Sequence, residues 1–314
     1  MFGYILKRIA ATIPVMGVVA LFVFLMIRLA PGDPAAVIAG DYATAEDVMR
    51  IREQLGLNEP IIIQFTKWIG ALAQGDLGKA IFSNKSVAEL IGQRIEPTVM
   101  LTLTTIIFTI LVAVPLGTLA AWRAGTLIDR AVMMFSVGGF SVPVFVLGYI
   151  LIYILSIQLK WLPVQGYRSM FEHGLWPFLR HITLPTVTLS VIFIALIARM
   201  TRASVIEVLQ EDYVRTARAK GQSEFKVLLR HALRNAAVPI VTVIGLSLAL
   251  LIGGVVVTES VYNIPGLGRL VLDAVLARDY PIIQGLILFF SFVYILINLL
   301  IDLSYTLFDP RIRY

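Results

Sequence analysis

Charged residues divide the chain into six long apolar stretches that carry no charge of their own. A membrane-crossing helix needs about 20 apolar residues, with roughly 17 to 25 as the usual range. Helices are the spanning form that fits, because backbone polar groups in lipid must bond within their own segment. The pattern therefore predicts an all-α, polytopic membrane protein with six transmembrane helices. The predicted spans are residues 9–27, 97–122, 131–159, 182–198, 235–258 and 280–301.

The composition excludes a soluble domain and a disordered chain. Of the 314 residues, 58% are hydrophobic and 15% are charged, and the mean hydropathy is +0.86. A soluble domain is about half apolar and a quarter charged. The chain has no cysteine, which excludes disulfides, a thiolate nucleophile and cysteine-based metal centres.

The positions of the basic residues predict how the spans are oriented. Lysine and arginine accumulate on the cytoplasmic side of membrane proteins, chiefly in short loops. With the N-terminus inside, the inner segments hold 14 lysines and arginines, and the two short outer loops hold five. The long outer segment counts little toward this rule. The sequence therefore predicts an N-in, C-in topology.

The segment between the first two spans, residues 31–96, is predicted to lie outside the membrane. Pro31-Gly32 is expected to stop the first helix. Further on, four apolar residues recur at helical spacing, which suits either a small packed cap or a helix lying on the membrane interface. These residues are Phe65, Trp68, Ile69 and Leu72.

The chain is expected to divide after this segment. Residues 1–97 would form the first transmembrane helix and the outer region, and residues 98–314 a core of five helices. That core includes a cytoplasmic loop at about residues 199–235.

The 199–235 loop is predicted to form a helix, a glycine turn and a second helix. Residues 202–220 lack proline and glycine and favour one helix, with Glu211 and Arg215 as an i,i+4 ion pair. Gly221 stands where that helix ends, and Ser223 is a candidate cap for the next. Small side chains leave one helix face low in bulk, so another protein can approach closely. They are Thr216, Ala217 and Ala219.

Small residues and a proline within the spans mark candidates for the lining of a path through the membrane. Pro143, with Gly138 and Gly139, is expected to break or kink the third helix, and freed backbone groups are tolerated where they line a cavity. Ser141 then offers a hydroxyl to a polar solute in that cavity. Helix packing by small residues is the alternative. The same two interpretations apply to Gly245, Gly253 and Gly254.

Residues 215–234 resemble a signature of ABC-importer permeases, which reads Glu-Ala-Ala, three residues, Gly, nine residues, then Ile-x-Leu-Pro. Thr216-Ala217 stand at the alanine positions, Gly221 at the glycine and Leu233 at the leucine. The departures resemble the variant of the dipeptide, oligopeptide and nickel branch. The departing positions are Arg215, His231 and Arg234.

Other motifs of that branch follow in family order along nearly the whole chain. They are Leu29-Ala30-Pro31-Gly32-Asp33-Pro34, Leu55-Gly56-Leu57, Gly75-Asp76-Leu77-Gly78, Ser141-Val142-Pro143, Pro265-Gly266-Leu267-Gly268-Arg269, Arg278-Asp279-Tyr280-Pro281 and Asp309-Pro310-Arg311-Ile312-Arg313. The chain thus resembles the first (B-type) permease subunit of bacterial dipeptide, oligopeptide, glutathione or nickel importers. Such a subunit crosses the inner (plasma) membrane several times.

The resemblance implies a transport subunit with no catalytic, cofactor or metal site of its own. A second similar permease, two ABC ATPase subunits that bind ATP and Mg, and an extracytoplasmic substrate-binding protein are the implied partners. The implied substrate is a peptide, the surroundings are lipid, and nucleic acid is no partner. The sequence agrees, because it lacks the Gly-x4-Gly-Lys-[Ser/Thr] phosphate-binding loop.

The resemblance also implies that the 212–221 helix couples the permease to the ATPase, as a helix inserted into a groove. On this basis we expect Ala217→Asp or Gly221→Leu to leave the chain folded and to stop transport. The implied coupling residues are Asp212, Tyr213, Arg215, Thr216, Ala217, Arg218, Ala219, Lys220 and Gly221.

Two alternatives stay open and a third is excluded. A nickel or other small-solute importer of the same family is less favoured, because no histidine lies in a span. The other alternative is a stand-alone secondary transporter or channel. Ion-coupled carriers keep ionisable residues at mid-membrane, and the centres of the predicted spans have none, which argues against ion coupling. Glu259 and Asp302 sit at span ends, where no special role is expected of them. A membrane-embedded hydrolase is excluded, because a Ser–His pair within the bundle is missing.

Overall fold

The computed structural model describes residues 2–29, 33–39, 43–54 and 56–308. Residues 30–32 with the predicted Pro31-Gly32 turn, Leu55 and the tail motif at 309–313 lie outside the described residues. The described residues form helices and one isolated antiparallel bridge, between Lys79 and Ser86, so the all-α prediction is confirmed.

The helices follow one another with short connections. They are α1 (Phe2–Leu29), α2 (Pro34–Ala39), α3 (Ala45–Gln54), α4 (Ile61–Ala73), α5 (Val87–Trp122), α6 (Leu127–Ser141), α7 (Val144–Leu151), the π-helix π1 (Ile152–Gln158), α8 (Met170–His173), α9 (Leu175–Leu209), α10 (Asp212–Ala219), α11 (Glu224–Lys226), the π-helix π2 (Val227–Leu233), α12 (Ala237–Val261), α13 (Leu267–Ala277) and α14 (Tyr280–Phe308).

Four of the described helices, α5, α9, α12 and α14, are long and apolar enough to cross a membrane. A fifth span is present if α6 and the α7–π1 helix are taken together. The apolar part of α1, Ala10–Met26, is shorter than these. The number of six spans therefore stays a prediction.

The third predicted span, residues 131–159, is not one continuous helix. α6 ends at Ser141, α7 begins at Val144, and the two halves are bent by 104°. Proline lacks a backbone N–H and disfavours helical backbone in the residue before it, and Val142 is accordingly extended, with φ −98° and ψ 122°. The predicted break at Pro143 is confirmed.

The chain divides into two compact units. The first comprises residues 1–95 and 269–296. In it, Phe65 and Trp68 of α4 pack on Phe24 of α1, with ring centroids 5.0 and 5.6 Å apart. The Arg28 guanidinium donates two hydrogen bonds to Gln64 of α4, at 3.0 and 2.8 Å. Phe65 and Trp68 of the predicted apolar stripe thus pack on α1.

The second unit comprises residues 96–268 and 297–314. α9 is its central helix, because two thirds (67%) of its most apolar stretch is buried, against 28% for α5 and α12. α6, α7 and α12 all pack on α9. Hydroxyl pairs join these helices inside the unit, among them Thr188 with Tyr262 at 2.6 Å. Buried hydroxyls are stable there because they bond to one another.

Candidate functional site

A sharp reversal follows the predicted coupling helix, and it sets the shape of the candidate site. Gly221 adopts φ +77°, a left-handed conformation that glycine takes without steric cost. Its N–H donates to the Arg218 carbonyl at 2.9 Å, and the Gln222 N–H donates to the Ala217 carbonyl at 3.3 Å. These two bonds form a Schellman motif, so the predicted end of the helix at Gly221 is confirmed.

The beginning of the same helix differs from the prediction. A single helix over residues 202–220 is wrong, because α9 ends at Leu209 and Glu211 is extended before α10 starts. The break lets α10 fold back, so that Val214 and Ala217 share a buried cluster with Val227 of π2. The free energy gained by burying these side chains outweighs the helix propensity of residues 210–211, so the helix is interrupted there.

The inner face of α10 is closed within the chain itself. Val214 is fully buried and Ala217 is 8% exposed. The predicted small surface of Thr216, Ala217 and Ala219 is therefore wrong as a single face. Ala217 points into the chain, whereas Thr216 and Ala219 are exposed.

The outward face of α10 carries the remaining predicted residues. Tyr213 is 42% exposed, and burial of the rest raises the pKa of its phenol, which stays neutral at physiological pH. Exposed residues complete this outward face: Asp212, Arg215, Thr216, Arg218, Ala219, Lys220 and Gly221.

Two ion pairs fix side chains on the outward face. Arg215 pairs with Asp212 at 3.3 Å, so the predicted Glu211–Arg215 pair is wrong. Glu211 precedes the helix with an extended backbone, and its side chain is therefore not one helical turn from Arg215. Arg218 donates to Glu224 of α11 at 2.9 and 3.2 Å, which ties α10 to the next helix.

The return helix, which is α11 continued by π2, begins at Glu224. Ser223 stands at its N-cap position, as predicted, although the serine side chain makes no capping bond. The Val227 N–H donates instead to the Ser223 carbonyl at 3.0 Å. π2 then runs from Val227 to Leu233. π-helical turns are rare and occur frequently at functional sites.

A buried ion pair behind the site escaped the sequence analysis. Asp129 at the start of α6 is 4% exposed and binds the Arg202 guanidinium of α9 through both carboxylate oxygens, one of them at 2.7 Å. The Gly125 N–H also donates to Asp129 at 2.9 Å. The pair joins α6 to α9 less than three helical turns before α10. Because its two residues are 73 positions apart in the sequence, no local pattern predicts their contact.

The candidate path residues at the break in the third span are exposed. Ser141 and Pro143 are both open to the surroundings in this chain. The Ser141 hydroxyl donates to the Val137 carbonyl at 3.0 Å. A hydroxyl in this position still has acceptor capacity for a ligand.

The three candidate glycines of α12 differ from one another. A Cβ at Gly245 would meet Ile301, and one at Gly254 would come within 2.8 Å of Leu189, so both allow close helix packing. Gly253 has no neighbour within 4 Å and is exposed. The groove beside Gly245, of about 200 Å³, is lined by apolar residues. Of the three, only Gly253 lies on an open face.

Glu259 lies in a buried hydrogen-bond network, although its position at the end of a predicted span suggested no special role. Its side chain is fully buried, and its Oε1 accepts a hydrogen bond from the Thr98 hydroxyl of α5 at 2.6 Å. That hydroxyl in turn accepts the Leu267 N–H at 2.8 Å. A Cβ at Gly266 would collide with the carboxylate. A carboxylate next to an apolar span is the sequence feature from which a buried hydrogen-bond partner for Glu259 could have been predicted.

No group of three His, Asp or Glu side chains that could hold a metal ion occurs within the described residues.

Two family models match the chain. The model described as "Binding-protein-dependent transport system inner membrane component" matches residues 113–314. The model for the N-terminal part of such membrane components matches residues 1–102. Together they span both predicted parts of the chain.

Curated relatives match over the full length. A "Probable peptide ABC transporter permease protein" of Sinorhizobium fredii is 58% identical over 311 residues, which is 99% of each chain. The "Glutathione transport system permease protein GsiC" of Escherichia coli is 45% identical over 314 residues, which is all of both chains.

A solved structure resembles the fold. An inward-facing conformation of the MetNI methionine ABC transporter aligns with a TM-score of 0.57 and 17% identity, covering 71% of this chain and 97% of that one. At this identity the likeness concerns the fold alone.

Proposed function

The chain belongs to the family of binding-protein-dependent transport system inner membrane components, and from this premise we propose that it carries peptides, glutathione among them, as one half of a translocation pathway. Members of this family are multi-pass permeases of the inner membrane, and separate ATPase subunits hydrolyse the ATP. A stand-alone carrier or channel is thereby set aside.

The single observation that carries the coupling proposal is that α10 has one buried face and one exposed face. Its inner face is held by Val214 and Ala217 against π2, while its outward face is exposed and ordered by ion pairs. A helix that is packed on one face against the rest of its chain can transmit a displacement applied to its other face. We assign this outward face to a groove on an ATPase subunit.

Movement of α10 would reach the membrane helices by two connections. Through the α10–π2 contact it acts on α12, and through α9 and the Asp129–Arg202 pair it acts on α6. ATP-driven closure of two ATPase subunits would then rock the helices between inward and outward states. A second, homologous permease subunit would supply the other half of the path.

The proposal includes the N-in, C-in topology, because the basic residues accumulate in the segments that this topology puts in the cytoplasm. α10 then faces the ATPases. The outer region within residues 1–97 faces the substrate-binding protein, and residues 98–314 form the permease core.

The names of the relatives favour a peptide substrate. One is called a peptide permease and the other a glutathione permease. A nickel importer of the same family is the second candidate, but the described spans offer no group of metal-ligating side chains. Ser141, Pro143 and Gly253 remain the proposed path residues, because all three are exposed.

Uptake by the complete complex tests this function. The chain is co-expressed with its neighbouring genes, purified gently and reconstituted into liposomes with ATP inside and the binding protein outside. ATP-dependent accumulation of a labelled dipeptide or of glutathione is the expected result. Accumulation of nickel but of neither peptide would overturn the substrate, and purification without any ATPase would overturn the coupling.

A further inference from the structure

The return helix behind α10 exposes two parallel rows of residues with different chemistry. One row is basic and consists of Lys226, Arg230 and Arg234, all exposed. Beside it lies an apolar row, in which Phe225 is 68% exposed and Leu229 43% exposed. Residues four apart share one face of a helix, so each row is continuous.

The basic row is unlike the neighbouring arginines. Arg202, Arg215 and Arg218 each have a carboxylate partner. Within the described part of the chain, no ion pair involves Lys226, Arg230 or Arg234. Three adjacent exposed cations without a counter-charge form a positive surface that attracts anions.

The two rows lie opposite the face that the chain itself covers. Val227, Leu228 and Ala232 are buried, Val227 against α10 and the other two in a cluster with Val205 of α9. The exposed rows therefore point away from α10 and α9.

The depth of the rows suits the headgroup layer of a bilayer. The apolar span begins at residue 235, directly after Arg234. At about 1.5 Å per residue, Arg230 lies at most about 6 Å and Lys226 at most about 12 Å below Arg234. The headgroup layer is about 5–8 Å thick on each side of the hydrocarbon, within reach of all three long side chains.

We propose that this surface, residues 225–234, binds the anionic headgroups of the inner leaflet, with the helix tilted toward the bilayer so that Phe225 and Leu229 reach the headgroup layer. Basic residues beside exposed aromatic and aliphatic ones are the pattern of interfacial helices. Anionic lipids attract each such cation. The inference rests on the proposed topology. It implies that the return helix stays in contact with the lipid surface while α10 is displaced by the ATPases.

Removal of the three charges tests the basic row. The variant Lys226→Gln/Arg230→Gln/Arg234→Gln is compared with Lys160→Gln/Arg168→Gln/Arg180→Gln, which loses the same charge from the loop after π1 and from α9. Both are purified with their ATPases in nanodiscs of phosphatidylcholine with increasing phosphatidylglycerol. Native mass spectrometry then measures how tightly phosphatidylglycerol is retained. We expect the first variant to weaken that binding on the order of 100-fold and the second to match the unaltered chain.

Spin labels test whether the apolar row contacts lipid. Labelling is direct, because the chain has no native cysteine that would have to be removed first. A nitroxide at Leu229→Cys is expected to be accessible to oxygen and shielded from a water-soluble nickel reagent. A label at Ser223→Cys, in the exposed turn, should show the reverse.

Three outcomes would overturn the lipid assignment. One is unchanged phosphatidylglycerol retention in the first variant. Another is loss of the ATPases from that variant while lipid retention stays the same, which would make the row an ATPase contact. The third is a label at position 229 that becomes shielded from both reagents when the ATPases bind. Failure of the unaltered chain to bind any ATPase would instead refute the proposed function.

Discussion

Ala217 lies in the middle of the small-residue run of the coupling loop, yet its side chain faces the interior. It packs with Val214 and Val227, and its neighbour two residues on, Ala219, is exposed. A helix turns by about 100° per residue, so residues close in sequence meet different surroundings. Roles on this loop must therefore be assigned to each residue by its own exposure.

The expectation that Ala217→Asp and Gly221→Leu leave the chain folded is thereby revised. Ala217→Asp puts an unpaired carboxylate into an apolar cluster, which costs several kcal/mol. Leucine at position 221 would have to adopt φ +77°. We expect Ala217→Asp to lower the thermal midpoint of the detergent-solubilised chain clearly, with Ala219→Asp as the exposed control. Equal midpoints would show that Ala217 is not buried.

At Gly117, α5 comes very close to α9. A Cβ there would lie 2.5 Å from the Ala198 carbonyl oxygen and 2.7 Å from the Thr201 Cβ. Backbone cannot move aside as a flexible side chain can, so Gly117→Ala should destabilise the chain by about 1–3 kcal/mol. Gly138→Ala, in α6, meets nothing within 4 Å and should be neutral. Thermal unfolding of the two variants distinguishes them, and a stable Gly117→Ala would contradict the packing.

At the scale of elements, the Asp129–Arg202 pair joins the first turn of α6 to the C-terminal part of α9. The carboxylate is nearly buried, so its charge depends on the arginine and on the Gly125 N–H. Removal of one partner of a fully buried pair typically costs about 3–5 kcal/mol, whereas removal of both costs much less. The Arg202 side chain is 28% exposed, so the cost of losing one partner here is expected to be smaller.

Arg202→Ala is therefore expected to destabilise the chain more than the double variant Asp129→Asn/Arg202→Ala. The same order should hold for coupling, because α6 is displaced from α9 when the carboxylate is left unpaired. The measurement is unfolding together with substrate-stimulated ATP hydrolysis in the assembled complex. Additive effects of the two substitutions would show that the residues do not interact.

The elements that the sequence predicts well are those fixed by local chemistry. The long helices follow from uncharged stretches, the kink from Pro143, and the end of α10 from Gly221. The break at Glu211 and the bond between Thr98 and Glu259 were missed. Each depends on a contact between residues distant in the chain, 161 positions apart in the second case, and such contacts leave no periodic pattern in a single sequence.

At the scale of the whole molecule, the second compact unit contains the entire proposed route of force. α9, α10, π2 and α12 all belong to it, as does the break between α6 and α7. We propose that the outward face of α10 receives the movement of the ATPases. The Asp129–Arg202 pair and the α10–π2 cluster would then carry that movement toward the spans.

The most direct test compares two leucine substitutions in the full transporter. Ala219→Leu adds bulk to the outward face of α10, where leucine keeps a high helix propensity. Ser223→Leu adds the same kind of bulk just beyond it, at a side chain that makes no capping bond. Co-purification of the ATPase subunits and ATP-driven peptide uptake are measured for both. The account predicts loss of the ATPases and of uptake for Ala219→Leu alone, whereas full ATPase binding and uptake by Ala219→Leu would contradict it.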